Sequence, residues 1–267
     1  METSGAPDNQ ARGRAAITDA RRLAVGRQVN RLIGRAICRY GLTQAGDRIA
    51  VGLSGGKDSL CLLWMLAERR RRVPVDYTLR AIHVDLGWDA SAAGRLERFC
   101  LELGVEFASV ATDIGERAHS AGNRENPCFL CAALRRKELF EAAAQSGCNK
   151  LALGHHRDDI IETFFLNVIY SSEISTMLPA QPLFGGRLTI VRPLYLCDAA
   201  QLARLARELD LPVAPSGCPS ECRSARRGIA DMLAPLFGRN RRLKGNVFRA
   251  LSNVRADYLP QALKPRE

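Results

Sequence analysis

Three groups of residues carry functional side chains at spacings that chemistry can use: SGGKDS at Ser54–Ser59, a C-x-x-C at Cys128 and Cys131 with Cys218 and Cys222 further on, and GHHRDD at Gly154–Asp159. The first reads as a phosphate cradle. Gly55 and Gly56 have no Cβ, so the backbone can turn sharply and bring its N–H groups close to an anion. Lys57 adds a cation, and Ser54 and Ser59 add hydroxyl donors. The lysine is followed by Asp58 and the G-x-x-x-x-G-K spacing is missing, so this is not a Walker A sequence. A C-x-x-C just before a helix lets two thiolates share one metal centre; the same spacing serves a redox pair, half a zinc site or two cluster ligands. In GHHRDD, Asp158 and Asp159 open a helical pattern, where one carboxylate can serve as a cap.

These residues need a frame, and the flanking pattern supplies one. Ile49, Val51 and Leu53 suit a buried strand, while Ser59, Leu60, Leu62, Leu63 and Leu66 follow helical spacing. The cradle then sits at a helix N-terminus, where unpaired N–H donors and the dipole favour negative charge. Further strands are predicted over 77–84, 105–110, 150–153 and 187–192, and helices over 90–103, from just after Cys131 to 146, 158–170 and 198–209, with residues 111–127 as loop. Strands alternating with helices predict an α/β fold: a parallel sheet with helices on both faces, flanked by N- and C-terminal helices, with ligands at the carboxyl ends of the strands. SGGKDS, His83 with Asp85, and Gly154 with His155 all fall at such ends. The expected organisation is a disordered tail over 1–16, a helical segment over 17–46, a nucleotide-binding domain over 47–215 carrying the C-x-x-C, and a cysteine loop with basic helices over 216–267.

Lysine plus arginine outnumber aspartate plus glutamate 39 to 28, a formal charge of +11 that points to an anionic partner larger than a nucleotide, nucleic acid above all. The excess gathers at Arg69–Arg72, Arg135–Lys137, Arg223 to Arg227 and Arg239 to Lys244. No apolar run is long enough to span a bilayer and the start has no apolar signal core, so a cytoplasmic protein with no membrane partner is expected. Nine cysteines scattered through such a chain argue for thiols or metal ligands over a disulfide framework. Cys38, Cys61, Cys100, Cys148 and Cys197 lie in helical or strand-end patterns and are expected to be buried small hydrophobes.

SGGKDS after a strand resembles the PP-loop of the ATP pyrophosphatases, which split ATP between its α and β phosphates. PCFLCAALRRKELF, LALGHHRDDIIETFFLN, IVRPL and GIADML, in that order after it, resemble the tRNA 2-thiocytidine synthetase family over about residues 28–257. The resemblance implies ATP on Ser54–Ser59, with His83, Asp85, Gly154 and His155 bordering it and Lys57, Asp58 and Asp159 in the chemistry. Asp58 or Asp159 would place Mg²⁺ on the phosphates. It also implies a 4Fe–4S cluster on Cys128, Cys131 and a later cysteine, leaving one iron without a protein ligand. Counting back without gaps from Ile229–Leu233 puts that cysteine on Cys218. The family often has a second C-x-x-C in this loop, whereas here Pro215 takes its first position and Cys222 follows Cys218, so Cys222 is the alternative.

The implied reaction is adenylation of the 2-oxo group of an anticodon-loop cytidine in tRNA, then its replacement by sulfur. A cysteine desulfurase or other sulfide source would supply the sulfur, and the chain could work as a homodimer. Three rivals stand beside this. Lysidine synthetases share the cradle but have no use for the C-x-x-C. The 2-thiouridine enzymes carry extra zinc-binding cysteine pairs near their termini. A zinc-containing RNA-binding module would need no ATP.

Overall fold

The computed structural model describes residues 23–214, 217–219 and 224–260; the expected tail over 1–16, the start of the N-terminal helix, Pro215 and Cys222 lie outside these residues. Ile49 and Val51 alternate with Ala50, so the strand they form buries both faces, and β1 (Asp47–Gly52) lies inside a six-stranded sheet. The other strands are β2 (Tyr77–Asp85), β3 (Glu106–Ala111), β4 (Lys150–Ala152), β5 (Ala180–Leu183) and β6 (Leu188–Val191), in the order β3-β2-β1-β4-β6-β5. All run parallel except β5, which pairs antiparallel with β6 at the edge. The chain moves outward from β1 to β3 and then returns to β4 on the other side. The crevice between β1 and β4 is therefore where the topology of such a sheet places a ligand.

The helices are α1 (Ala24–Tyr40), α2 (Lys57–Arg70), α3 (Ala92–Leu103), α4 (Ile114–His119), α5 (Pro127–Gln145), α6 (Arg157–Tyr170), α7 (Ala199–Glu208), α8 (Ala225–Arg239) and α9 (Arg241–Ala250). Val25, Val29, Ile33 and Ala36 form the buried stripe of α1, which stops at Gly41 in the left-handed region (φ 61°). Ile49, Val51 and Leu79 join α1, α2, α3 and α7 in the larger core; Ala50, Ile82, Val84 and Leu151 join Ile114, Leu139 and Ala143 in a smaller one on the opposite face. Between α5 and α6, beside β5 and β6, a cleft of about 1530 Å³ remains. Ile161 meets Ile229 and Leu233 in a third cluster, which docks α8 on α6. Cys61, Cys100, Cys148 and Cys197 are buried as expected, but Cys38 is exposed, because it lies off the buried stripe of α1. No described helix is long and apolar enough to cross a membrane.

One buried ion pair fixes the amino end of the sheet. Lys150 Nζ lies 2.7 Å from Asp47 Oδ2 and donates to the Leu42 carbonyl at 2.9 Å, while Asn149 and the Gln44 N–H also donate to Asp47. Burial opposes the charged carboxylate, but these partners outweigh it and lower the Asp47 pKa. Lys150→Met strands that charge and should cost about 3–5 kcal/mol in urea unfolding at neutral pH. The sign follows from the lowered value: Asp47 stabilises the fold above its unfolded pKa of ~3.9, and the stabilisation is lost as pH falls through the folded value. The variant's deficit should shrink on acidification, because protonation relieves its unpaired carboxylate.

Candidate active site

The turn after β1 is built to leave donors open. Gly55 takes φ +80°, and Gly56 precedes α2 without offering a side-chain cap to its first turn. Two hydroxyls brace the loop. Ser59 Oγ donates to the Gly56 carbonyl at 2.9 Å and accepts from the Ser54 N–H at 3.1 Å, and Ser54 Oγ accepts from the Gly56 N–H at 3.3 Å. Lys57 Nζ rests 2.8 Å from Asp58 Oδ2 at the mouth of the turn. Gly154, at the end of β4, lies against the same helical turn: a Cβ there would stand 3.1 Å from Asp58 C and Ser59 N.

His83 and Asp85 end β2 on one side of the loop; Gly154 and His155 follow β4 on the other. The buried His83 ring places Nδ1 2.8 Å from the Leu53 carbonyl, which can only accept, so Nδ1 carries the proton there. Its Nε2 is buried without a hydrogen bond among the described residues. Asp85 Oδ1 accepts from the Gly87 N–H at 2.8 Å, ordering the turn that leaves β2.

GHHRDD proves to be the hub of an ion network. His156, at the N-cap of α6, gives its backbone N–H to Asp159, and its ring lies 3.7 Å from Asp58 Oδ1 and 3.3 Å from Asp159 Oδ2. Burial disfavours its cation, yet Asp58, Asp159 and Asp158 together outweigh burial and raise its pKa. Burial likewise pushes the Asp58 pKa up, and His156 and Lys57 bring it below the ordinary value. Asp159 is fully engaged: Oδ2 accepts from the His156 N–H at 2.9 Å and Oδ1 meets Arg226 Nη1 at 3.1 Å. Asp158 accepts from the Ala199 N–H and pairs with Lys244. Asp58 Oδ1, by contrast, makes no hydrogen bond within the geometric limits among the described residues and has the His156 ring as its ion-pair neighbour. Sequence reasoning did not single out His156, and it counted Arg226 and Lys244 in the basic patches that point to nucleic acid, since neither residue type nor spacing reveals a partner across the fold.

Cys128 and Cys131 lie on the first turns of α5, whose start is set by Pro127 and by Asn126 Oδ1 accepting from the Cys128 N–H at 2.9 Å. Cys218 comes from the loop after α7, beside Gly217, which packs on Trp88. Burial raises the Cys131 thiol pKa; Arg135 lowers it, and Cys218 and Cys128 push it up again. The three sulfurs are thus electrostatic neighbours. Among the described residues no three His, Cys, Asp or Glu side chains form a ready-made metal-ion cage. Three thiols from two segments, half-buried beside an arginine that lines the cleft, nonetheless fit in kind the soft donors of an iron–sulfur cluster.

A family model for the PP-loop domain matches residues 23–213. The chain is 37% identical over 242 residues to a tRNA-cytidine(32) 2-sulfurtransferase of Syntrophotalea carbinolica, covering 88% of this chain and 92% of that one. It is 39% identical over 240 residues to one of Geotalea daltonii, covering 88% and 95%. Among solved structures, the U34-tRNA thiolase NcsA of Methanococcus maripaludis, with its 4Fe–4S cluster, matches with a TM-score of 0.72 at 25% identity, over 90% of this chain and 81% of that one. The open turn at the carboxyl end of β1 and the sheet that carries it make this a PP-loop protein. Within that class, the chain belongs to the tRNA-cytidine(32) 2-sulfurtransferase family.

Proposed function

We propose that this protein activates the 2-oxo group of cytidine 32 of tRNA with ATP and replaces that oxygen with sulfur. One observation carries the reading: Arg135, on the helix whose first turns hold Cys128 and Cys131, lines the same cleft as Ser54 and Ser59 of the phosphate loop. The triphosphate lies on Ser54–Ser59, with its adenosine toward His83 and Asp85. The 2-oxo oxygen bonds to the α-phosphorus, the bond to the bridging oxygen breaks, and pyrophosphate leaves. Lys57 and the first-turn N–H groups of α2 take up the charge that develops. Asp58, which lines the cleft beside the turn, is the residue that would hold Mg²⁺ on the phosphates.

Hydrosulfide then adds to C2, the C2–O bond breaks with its electron pair going to AMP, and the sulfur proton passes to solvent. Cys128, Cys131 and Cys218 would hold an iron–sulfur cluster, which supplies an iron position for the sulfur awaiting transfer. A cysteine desulfurase or another sulfide source provides that sulfur. Arg48, Arg135, Arg136 and Arg187 line the cleft without acidic partners among the described residues, which supports RNA as the second substrate. An anticodon-loop base suits this arrangement because it is unpaired and can enter a cleft. Mass spectrometry of tRNA nucleosides from cells with and without the gene tests the reading. Loss of 2-thiocytidine is expected; unchanged tRNA, or loss of a thiouridine instead, would overturn it.

A further inference from the structure

Arg192 closes β6 in the stretch IVRPL, and the chemistry above leaves it without a task. The residue is buried and held at three points, two of them on the side chain. Nη1 donates to the Leu178 carbonyl at 2.5 Å, the backbone N–H donates to the Pro179 carbonyl at 2.9 Å, and Nε donates to Nδ1 of His155 at 3.3 Å. A guanidinium has donors only, so Nδ1 of His155 must be the bare nitrogen and the ring proton must sit on Nε2. His155 Nε2 makes no hydrogen bond among the described residues, and the ring lines the cleft together with Ser54, Ser59 and Gly154.

We propose that Arg192 is a positioning residue that fixes His155 as the neutral Nε2–H tautomer, and that this N–H donates to a non-bridging oxygen of the ATP α-phosphate as the base attacks. The proposal rests on the adenylation step inferred above. The surroundings agree with it. Burial lowers the His155 pKa to about 4; Asp159 works against this, and Arg192, Arg226 and His156 work with it. Burial also lowers the Arg192 pKa, but only to about 10, so the guanidinium remains charged at neutral pH. A neutral donor suits the task. An imidazolium would grip the triphosphate before reaction as firmly as during it, whereas an oriented N–H strengthens as charge builds at phosphorus. No proton changes hands.

Long-range ¹H–¹⁵N spectra of the full chain with labelled histidine test this directly, since there are four histidine rings and His155→Gln assigns one. The expected pattern is a neutral ring protonated at Nε2 and unchanged between about pH 5.5 and 8, across the range where a free ring titrates near ~6.5. Protonation at Nδ1, or titration near that ordinary value, would overturn the proposal whatever the activity of the variants. Pyrophosphate release with ATP and tRNA supplies the second readout. His155→Ala should lose about 10²–10³-fold, as for removal of one donor to developing charge, and His155→Gln, which keeps an N–H, should recover part of the loss. Wild-type rates in His155→Ala would refute the donor role. Wild-type protein that shows the tautomer but releases no pyrophosphate would refute the adenylation reading and the α-phosphate as acceptor together.

Discussion

Lys57→Ala should lower pyrophosphate release from ATP in the presence of tRNA by about 10²–10³-fold while leaving the fold intact. The side chain is 38% exposed and its only ion pair in the described structure is with its neighbour Asp58 at 2.8 Å. Little packing is lost on truncation. The mid-point of thermal unfolding should therefore stay close to that of the wild type. What disappears is a half-exposed cation on a long side chain at the mouth of a turn whose donors belong to the backbone. Backbone N–H groups can hold a phosphate in the ground state, but pyrophosphate leaves with added charge on oxygens beyond the turn, where only a long side chain can follow. Single-turnover release measured against ATP affinity separates these effects: the rate should fall much more than the affinity. Equal falls would make Lys57 a binding residue only, and an unchanged rate would remove SGGKDS from the chemistry.

The legible parts of this molecule were those written in local pattern. The period-two alternation around Val51, the helical spacing from Ser59 to Leu66, and the glycines that stop α1 and α3 in the left-handed region all depend on near neighbours. They sufficed to place the phosphate turn, His83, Asp85, Gly154 and His155 at the ends of adjoining strands. β5 escaped because AQPL is short and contains Pro182, which an edge strand tolerates and a propensity argument discounts. α4 escaped within a stretch read as loop, because its reason is tertiary: Gly115 lies so close to the Leu86 carbonyl and Trp88 that a Cβ would come within 2.3 Å and 2.5 Å of them.

The same division runs through the site. Residue types announced a phosphate turn, a pair of aspartates and a set of thiols, but pairings across the fold decided their states. Arg226 and Lys244, counted toward an RNA-binding surplus, neutralise Asp159 and Asp158 instead. The acidic pair of GHHRDD thereby fastens the C-terminal helices to α6. The remaining uncompensated cations that line the cleft, rather than the formal total, bear on RNA affinity.

Cys131→Ser should split the reaction into its two halves. Serine preserves the size of the side chain but exchanges a soft thiolate for a hard hydroxyl, a poor ligand for iron in a sulfur-rich site. Cys131 is the sulfur on which both Cys128 and Cys218 act, so its loss should empty the site of iron and sulfide and abolish 2-thiocytidine formation. Nothing in the phosphate turn touches it. Pyrophosphate release should consequently persist within a few-fold of wild type, with AMP accumulating as water takes the place of sulfur at C2. Cys38→Ser, an exposed position on α1, should change neither half. The contrast is informative because the alternatives predict different pairs of results. A zinc-holding RNA module would lose metal without ever having released pyrophosphate, and a Cys131→Ser protein that still thiolates would show the sulfur to arrive by another route. If instead both halves failed together in a variant of wild-type stability, the thiols would belong to the adenylation centre itself, and the division of labour between the turn after β1 and the first turns of α5 would be wrong.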